Sequence, residues 1–368
     1  MKIQLVDLQR QYKRYKKEID GAVQRVLNSG RFILGEEVEN FEREFADFCG
    51  AKYCVAVASG TDALFLSLKA LGVGPGDEVI TAPNSFIATA LSVSMTGAKP
   101  VFVDIDPETF NIDPEKIEDK ITSRTKAIIP VHLFGRPADM EPIKKIAQRH
   151  NLKILEDACQ AHGARYNKKR VGTFGDLAAF SFNPPKNLGC GGDGGAVITN
   201  NGSLAKKVLL YREYGSQKKY HHLIKGFNSR LDAMQAAILR TKLKHLEEWN
   251  EARRKNALLY NELLSDQPIK IPVIPAKTQS VFHQYVIRTK QRDLLIKYLN
   301  GKQIATGIHY PVPIHLQPAY FELGHKKGDF PMSEKAAKEI ISLPVFPGLT
   351  ESEIKYISQN IINFFKKS

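Results

Sequence analysis

The feature that most restricts the fold of this chain is a regular alternation of two patterns between about residues 50 and 200. Short runs rich in β-branched and other apolar residues alternate with stretches of helical periodicity, which is typical of β-α-β crossover units and a mostly parallel sheet. The runs are apolar on both faces, as in a sheet that is covered by helices on each side. The predicted strands are 53–58, 78–81, 99–103, 127–131, 153–156, 178–181 and 195–199.

The C-terminal third of the chain has a different pattern. One long helix is predicted from Asp232 to about Leu264, followed by shorter elements near 284–289, a Pro-rich stretch at 310–318 and a closing helix at 351–366. A chain of 368 residues with 43% apolar content can bury a large core. We therefore predict an α/β fold, with a large domain at 1–245 that includes an N-terminal helical segment, and a smaller α+β domain at 246–368 packed closely against it.

The formal charge of +14, from 53 Lys and Arg against 39 Asp and Glu, bears on the kind of partner. The basic residues are spread over amphipathic stretches such as 12–28, 115–126 and 242–255, which is typical of solvated helix faces. A nucleic-acid-binding arm would instead concentrate them. An anionic small molecule is therefore the favoured partner, and neither nucleic acid nor a membrane is expected.

The cysteines and the N-terminus bear on the cellular compartment. The four cysteines have no paired CxxC spacing, so we predict buried free thiols and neither disulfides nor a zinc site at Cys49, Cys54, Cys159 and Cys190. The first residues contain no apolar run of signal-peptide length, and nowhere do 18 apolar residues follow one another. These patterns predict a cytoplasmic protein.

A turn of small residues, Ser59, Gly60 and Thr61, joins the first predicted strand to an apolar helix. Such a turn points backbone N–H groups and the positive end of the helix dipole outward, where they can bind a phosphate. A Ser or Thr at this place is more often only a helix N-cap. Taken alone, the turn leaves both interpretations open.

Two further segments carry charged side chains after predicted strands. The strand at 153–156 leads to Asp157, at the place where open α/β sheets bind ligands, although this carboxylate could simply cap a following helix. The strand at 178–181 leads to Lys186 inside a loop crowded with Pro and Gly, SFNPPKNLGCGGDGG. A desolvated lysine in a constrained loop has a lowered pKa and can act as a nucleophile and a base.

In this order and at these distances, the three segments resemble the DegT/DnrJ/EryC1/StrS family of sugar aminotransferases that depend on pyridoxal 5'-phosphate (PLP), and the resemblance covers essentially the whole chain. It implies the fold of aspartate aminotransferase, fold type I, with a mostly parallel seven-stranded sheet. It also implies PLP as the cofactor, no metal, and a homodimer whose active sites lie at the subunit interface. The implied reaction moves an amino group from glutamate to a keto sugar on a nucleotide diphosphate, in amino-sugar biosynthesis for polysaccharides or antibiotics.

The resemblance further implies roles for single residues in cofactor binding. Lys186 would hold PLP as a Schiff base and then act as the catalytic base, and Asp157 would pair with the ring nitrogen. Asn228, in the segment 226–232 that reaches across the dimer and also contains Arg230, would contact the phosphate in the partner subunit. The other implied cofactor contacts are the phosphate cradle of Gly60, Thr61 and Ser181, the stacking ring of Phe86, and Gln160 at the ring hydroxyl.

Residues near the substrate and the position of amination are less sharply defined. His309, Tyr310 and His315 lie in a Pro-stiffened stretch that resembles the family's substrate segment, although a lone histidine is more often structural; Tyr12 and Arg31 also match segments near the active site. The GCGGDGG sequence of the lysine-containing loop resembles members that aminate C3 of the hexose more than those that aminate C4. The alternatives are C4 amination, synthesis of an aminated aromatic acid, or a regulatory DNA-binding protein.

Overall fold

The computed structural model of the protein describes residues 1–366. Its α-helices are α1 (Leu8–Ser29), α2 (Glu36–Cys49), α3 (Gly60–Ala70), α4 (Ala88–Met95), α5 (Met140–Arg149), α6 (Gly202–Arg212), α7 (Ala233–Leu243), α8 (Leu246–Leu264), α9 (Arg292–Gly301), α10 (Pro331–Glu339) and α11 (Glu351–Lys366). Its strands are β1 (Tyr53–Val57), β2 (Glu78–Thr81), β3 (Lys99–Phe102), β4 (Thr125–Ile128), β5 (Lys153–Asp157), β6 (Arg165–Tyr166), β7 (Lys169–Arg170), β8 (Leu177–Ser181), β9 (Gly195–Thr199), β10 (Ser216–Lys218), β11 (His221–His222), β12 (Thr278–Gln279), β13 (Tyr285–Arg288) and β14 (Ile340–Leu343).

A seven-stranded sheet in the order β1-β9-β8-β5-β4-β2-β3 forms the centre of the fold. Strand β9 runs antiparallel to both of its neighbours, and the other neighbouring pairs are parallel. The predicted mostly parallel sheet is therefore confirmed, and each predicted strand overlaps an observed one. The largest difference is at β4, where the chain leaves the ladder after Ile128 and Val131 makes an isolated bridge with Asp157.

Both faces of the sheet are buried, as the apolar runs predict. Along β9, Ala196 and Ile198 pack into a core with the aromatic rings of Phe41 and Phe180, whereas Val197 packs into a second core on the opposite face. This alternation follows from the two-residue period of a strand. The sheet is thus a rigid support whose strand ends can position side chains.

The C-terminal elements form a separate small sheet and a core of their own. Strands β13 and β14 pair antiparallel, and α8, α9 and α11 pack together nearby. The core of this region includes Tyr260, Tyr285 and Ile357. Strand β12 returns to pair with β6, so the C-terminal part is tied to the large one. The division at residues 245 and 246 stays a prediction.

Two predicted helical stretches are wrong in detail. The long helix from Asp232 to Leu264 is two helices, α7 and α8, separated by Lys244 and His245. Helix α7 packs against α1 and α2, whereas α8 packs against α11. The stretch 115–126 forms only short 3-10 turns at Pro114–Lys116 and Glu118–Lys120 before β4 begins.

The thiols are free, as predicted. Three of them are buried, and Cys159 is only partly buried. Within residues 1–366, no group of three or more His, Cys, Asp or Glu side chains is arranged to hold a metal ion. In the same part of the chain, no helix has the length and apolar character needed to cross a membrane.

Candidate active site

A cavity of about 520 Å³ lies where several strands of the central sheet end. We call it the main cavity. Asp157 is the last residue of β5, Ser181 is the last residue of β8, and the turn after β1 closes one side. The structure brings to this cavity most of the residues that the sequence predicts for the site: Gly60, Thr61, Phe86, Asp157, Gln160, Ser181, Lys186, His309 and Tyr310.

The loop between β8 and β9, residues 182–194, holds Lys186 at the wall of the main cavity. The N–H of Lys186 donates to the carbonyl of Asn183 at 2.9 Å. The Asn187 amide donates to the carbonyl of Val281 at 3.0 Å, so the lysine is anchored from both sides in the chain. A Cβ at Gly189 would lie 2.2 Å from the carbonyl oxygen of Pro184, so only glycine fits there. The Gly and Pro residues therefore fix the path that places the lysine.

The surroundings of Lys186 favour an uncharged amine. Burial of the amine lowers the pKa of Lys186 from its ordinary value, and the negative charge of Asp157 opposes this only in part. Burial also raises the pKa of the Cys159 thiol well above its ordinary value, so that thiol is neutral at physiological pH and adds no charge. An amine with a lowered pKa is a better nucleophile and a better base at neutral pH.

Three histidines around Lys186 are also neutral at physiological pH. Burial lowers the pKa of His309 to about 4 and that of His162 to about 3, and it lowers the pKa of His283 further below the ordinary value. In each case Lys186 adds to the effect when its amine is protonated. The lysine thus has no competing cationic imidazole beside it.

Asp157 is held in one orientation by neighbouring donors. The Thr89 hydroxyl donates to Oδ2 of Asp157 at 2.7 Å and accepts in turn from the Ser85 hydroxyl at 2.6 Å. The N–H of Cys159 donates to the other carboxylate oxygen at 3.2 Å. No α-helix follows Asp157 in residues 158–164, so the alternative that this carboxylate caps a helix is wrong. It is instead a fixed carboxylate facing the main cavity.

The turn after β1 is compatible with both interpretations of its sequence, a helix N-cap and a phosphate-binding turn. The Ser59 hydroxyl accepts from the N–H of Asp62 at 3.1 Å and so caps α3. The N–H groups of Gly60 and Thr61 lie in the first turn of α3, where a backbone N–H has no carbonyl acceptor within the helix. They are therefore available to a ligand at the positive end of the helix dipole. A Cβ at Gly60 would lie 2.5 Å from the Cβ of Ser181. The turn is therefore tight, and it has two N–H groups of the kind that bind a phosphate.

Replacing Gly60 with alanine is expected to weaken PLP binding by about 10- to 100-fold, because the added methyl group would displace Ser181 and distort the cradle at a cost typical of overpacking. Titration of the apoenzyme with PLP measures the dissociation constant. The matched control is Gly21→Ala, since a Cβ at Gly21 meets nothing within 4 Å. Equal affinities in the two variants would contradict the role of Gly60.

Aromatic and amide groups form the opposite wall of the main cavity. Phe86 is 53% exposed, so one face of its ring is open to a flat ligand. Its ring lies 5.5 Å from that of Tyr310. The Gln160 amide donates to the Tyr310 hydroxyl at 3.2 Å and accepts from the N–H of Phe134 at 2.8 Å. A planar ring held between Phe86 and the strand ends would thus have polar groups at its edge.

Four predicted site residues lie outside the lining of the main cavity. His315 is fully buried, and its imidazole is hydrogen-bonded to Glu334 at 3.2 Å. Tyr12 donates to Asp20 at 2.7 Å on the surface of α1. Arg31 and Asn228 are exposed. Their roles in binding the substrate or the partner subunit stay predictions.

Several cavity residues were not predicted from the sequence. His283 comes from the segment before β13, which has no recognisable motif, and the position of Cys159 between Asp157 and Gln160 gave no chemical signal. Thr89 lies three residues after Phe86, and its hydroxyl bonds to Asp157, 68 residues further along the chain, so no local pattern marked it. Only the folded chain brings these side chains together.

A carboxylate at the end of β5, a lysine of lowered pKa and a phosphate cradle surround one cavity of a mostly parallel α/β sheet. These groups match the pyridine nitrogen, the aldehyde and the phosphate of PLP, and the open face of Phe86 matches its flat ring. The fold and the site together define a PLP-dependent transferase of fold type I. The comparisons with known proteins specify the family.

Residues 13–362 match the model of the DegT/DnrJ/EryC1/StrS aminotransferase family, and this chain belongs to that family. The chain is therefore a PLP-dependent transaminase, which confirms the predicted family, fold, cofactor and enzyme class. A solved structure of DesV from S. venezuelae, in complex with a ketimine intermediate, matches it with a TM-score of 0.98 and 46% identity, covering 100% of this chain and 99% of that one.

Two curated relatives are each 50% identical to the chain. One is the dTDP-3-amino-3,6-dideoxy-alpha-D-galactopyranose transaminase of Aneurinibacillus thermoaerophilus, with 98% of both chains covered. The other is named pleiotropic regulatory protein, from Geobacillus stearothermophilus, with 100% of this chain and 99% of that one covered. The first name describes a reaction, whereas the second describes a phenotype.

Proposed function

We propose that this enzyme transfers an amino group from glutamate to the C3 keto group of a deoxyhexose linked to a nucleotide diphosphate. The observation that carries this proposal is the 50% identity, over almost all of both chains, to a transaminase whose named product is a 3-amino dTDP-hexose. The main cavity supports it, because about 520 Å³ exceeds what a small amino acid needs.

In the proposed reaction Lys186 performs the proton transfers. Bound PLP supplies a conjugated ring that accepts the electron pair left when the donor's α-carbon loses its proton. The amine of Lys186 would hold the cofactor's aldehyde carbon and, once free, would remove the proton from the donor's α-carbon. Asp157 keeps a proton on the ring nitrogen, because its fixed carboxylate stabilises the positive charge there.

The aromatic wall and His309 orient the sugar. The Nδ1 of His309 is hydrogen-bonded to the Ser342 hydroxyl at 2.8 Å, which fixes the ring with its other nitrogen free for a hydroxyl of the ligand. Tyr310 has a pKa raised by burial, so its phenol stays protonated and can donate to an oxygen of the sugar. Both side chains line the main cavity.

A homodimer is part of the same proposal. The segment before Asn228 exposes large apolar side chains, with Tyr220 at 81% and Leu223 at 61% exposure. Apolar groups clustered on one exposed segment are typical of an interaction surface. Arg230 is paired with Glu213 at 2.9 Å, which holds Asn228 at the edge of this segment. Sedimentation velocity of the purified protein tests the dimer, and a monomer would contradict it.

The regulatory alternative has less support in the structure. Arg240, for example, is paired with Glu37 and Glu44, and the Lys and Arg residues are spread along the sequence rather than concentrated as in a basic stripe that tracks a DNA backbone. The excess charge instead suits attraction of an anionic substrate. Salt-dependent binding to random duplex DNA would favour the alternative.

The reaction is tested with ¹⁵N-glutamate and either the 3-keto or the 4-keto isomer of a dTDP-linked 6-deoxyhexose. We expect ¹⁵N to appear at C3 of the sugar, detected by NMR coupling, and 2-oxoglutarate to form in equal amount. Label at C4 would overturn the position of amination. Conversion of glutamate with no labelled sugar from either isomer would overturn the substrate class while leaving the donor intact.

A further inference from the structure

A second pocket of about 220 Å³ opens beside the main cavity, and we call it the side pocket. Val6, Pro185 and Lys186 line both spaces, so the two meet at the catalytic lysine. The side pocket lies between the start of α1, the start of α8 and the segment 346–348. The lining residues that matter here are Arg10, Arg14, Trp249, Ala252, Arg253 and Phe346.

The three arginines of the side pocket differ in their partners. Arg10 pairs with Glu353 at 2.9 Å, and Arg14 pairs with Glu248 at 3.0 Å. In contrast, no carboxylate of residues 1–366 pairs with Arg253, although it is only 4% exposed. Its Nη1 donates to two backbone carbonyls, at 3.2 and 3.4 Å, and its Nε has no hydrogen-bond partner among the described residues.

An unpaired buried guanidinium is costly, because a charge taken out of water needs a counter-charge and hydrogen bonds to offset its desolvation. The position of Arg253 shows where an anion that balances its charge would lie. One of the carbonyls that Arg253 contacts belongs to His283, whose side chain lines the main cavity. An anion beside Arg253 would therefore lie next to the space where amino transfer takes place.

We propose that the side pocket binds the side-chain carboxylate of the amino donor, with Arg253 as its counter-ion. The inference rests on the proposed function and adds the subsite that makes the enzyme choose a dicarboxylic amino acid. The donor's amine would lie at Lys186 in the main cavity, and its carboxylate would extend past Pro185 toward Arg253. Arg253 is then a specificity-determining residue that takes no part in proton transfer.

The size of the side pocket distinguishes between the two anionic groups of the reaction, the carboxylate of the amino donor and the diphosphate of the sugar nucleotide. Pockets that enclose drug-sized ligands measure about 300–1,000 Å³, and the side pocket is smaller. It suits the end of an amino acid and is too small for a nucleoside diphosphate. Arg10 is already paired with both Glu353 and Asp7, and Arg14 is paired with Glu248. Among residues 1–366, Arg253 is thus the arginine of the side pocket that has no carboxylate partner.

The first experiment measures binding of glutarate, a dicarboxylate with no amino group to transfer, to the holoenzyme by calorimetry. We expect Arg253→Gln to weaken binding by about 10- to 100-fold, the effect of losing a charged hydrogen bond in a buried site. The control is Arg254→Gln, whose arginine pairs with Glu251 and does not line the side pocket. Trp249, the single tryptophan of the chain, lines the pocket, so its fluorescence locates the ligand.

Arg253→Gln could unfold the segment that its side chain holds, so a second variant leaves the arginine in place. Ala252→Phe fills the side pocket with an apolar ring. We expect both variants to raise KM for glutamate at least about 10-fold with KM for the keto sugar unchanged. Equal KM for glutamate in wild type, Ala252→Phe and Arg253→Gln would overturn the proposal, as would a rise confined to the keto sugar. If the wild-type enzyme transfers no nitrogen from glutamate, the proposed donor is contradicted instead.

Discussion

Replacing Lys186 with alanine is expected to lower the rate of amino transfer by about 10⁴-fold or more, the upper range for loss of a positioned acid or base. The reason is that one side chain has two tasks. In the proposed reaction it holds the cofactor through its amine and, once free, removes the proton from the donor's α-carbon. The variant can still bind PLP through the cradle at Gly60, so cofactor retention is expected to fall less than activity.

The measurement is the absorbance spectrum before and after borohydride, followed by peptide mapping. In wild type, borohydride should fix the cofactor on the peptide that contains Lys186. The matched control is Lys242→Met, because Lys242 is also buried, with a pKa lowered by burial, but donates to the carbonyl of Gly189 at 2.7 Å and does not line the main cavity. Identical spectra for wild type and Lys186→Ala would contradict the proposed role of this lysine.

The sequence predicts the central sheet well because each strand there is buried on both faces. Strands at 78–81 and 195–199 are predicted to the residue, since a continuous apolar run between turn residues has few other structures available. The split between α7 and α8 is not predictable in the same way. It depends on which neighbours each helix packs against, and that information is tertiary.

The candidate site likewise contains residues whose place follows from the sequence and residues whose place depends on tertiary contacts. Asp157 and Lys186 follow strands, so their place at the sheet edge follows from topology. Glu156 could not be separated from Asp157 by sequence, yet it points to the other side of β5 and accepts from the N–H groups of Gly172 and Phe174 at 2.8 and 2.7 Å.

Residues that reach the site from distant segments had no local signal. The Asn187 side chain contacts Val281, 94 residues away, and this contact brings the segment of His283 to the cavity. His315 lies in the Pro-stiffened stretch that resembles the substrate segment, but its buried imidazole is hydrogen-bonded to Glu334 and does not line the main cavity. Its role in substrate binding stays a prediction.

Replacing Asp157 with asparagine is expected to slow the glutamate half-reaction by about 10³-fold, because an amide cannot stabilise a proton on the ring nitrogen through a charge. The amide is nearly the same size, so Thr89 and Cys159 can keep their places around it. The variant should therefore retain PLP on Lys186 and its visible absorbance. Stopped-flow loss of that absorbance on adding glutamate measures the rate.

A cofactor analogue separates this electrostatic role from a purely structural one. PLP methylated at the ring nitrogen carries a permanent positive charge, so it no longer needs the carboxylate to hold a proton there. In Asp157→Asn this analogue should restore a large part of the lost rate, whereas in wild type it should give no gain. If the analogue leaves the variant as slow as PLP does, then Asp157 acts by positioning Thr89 and the cavity wall, and its charge is not what the reaction uses.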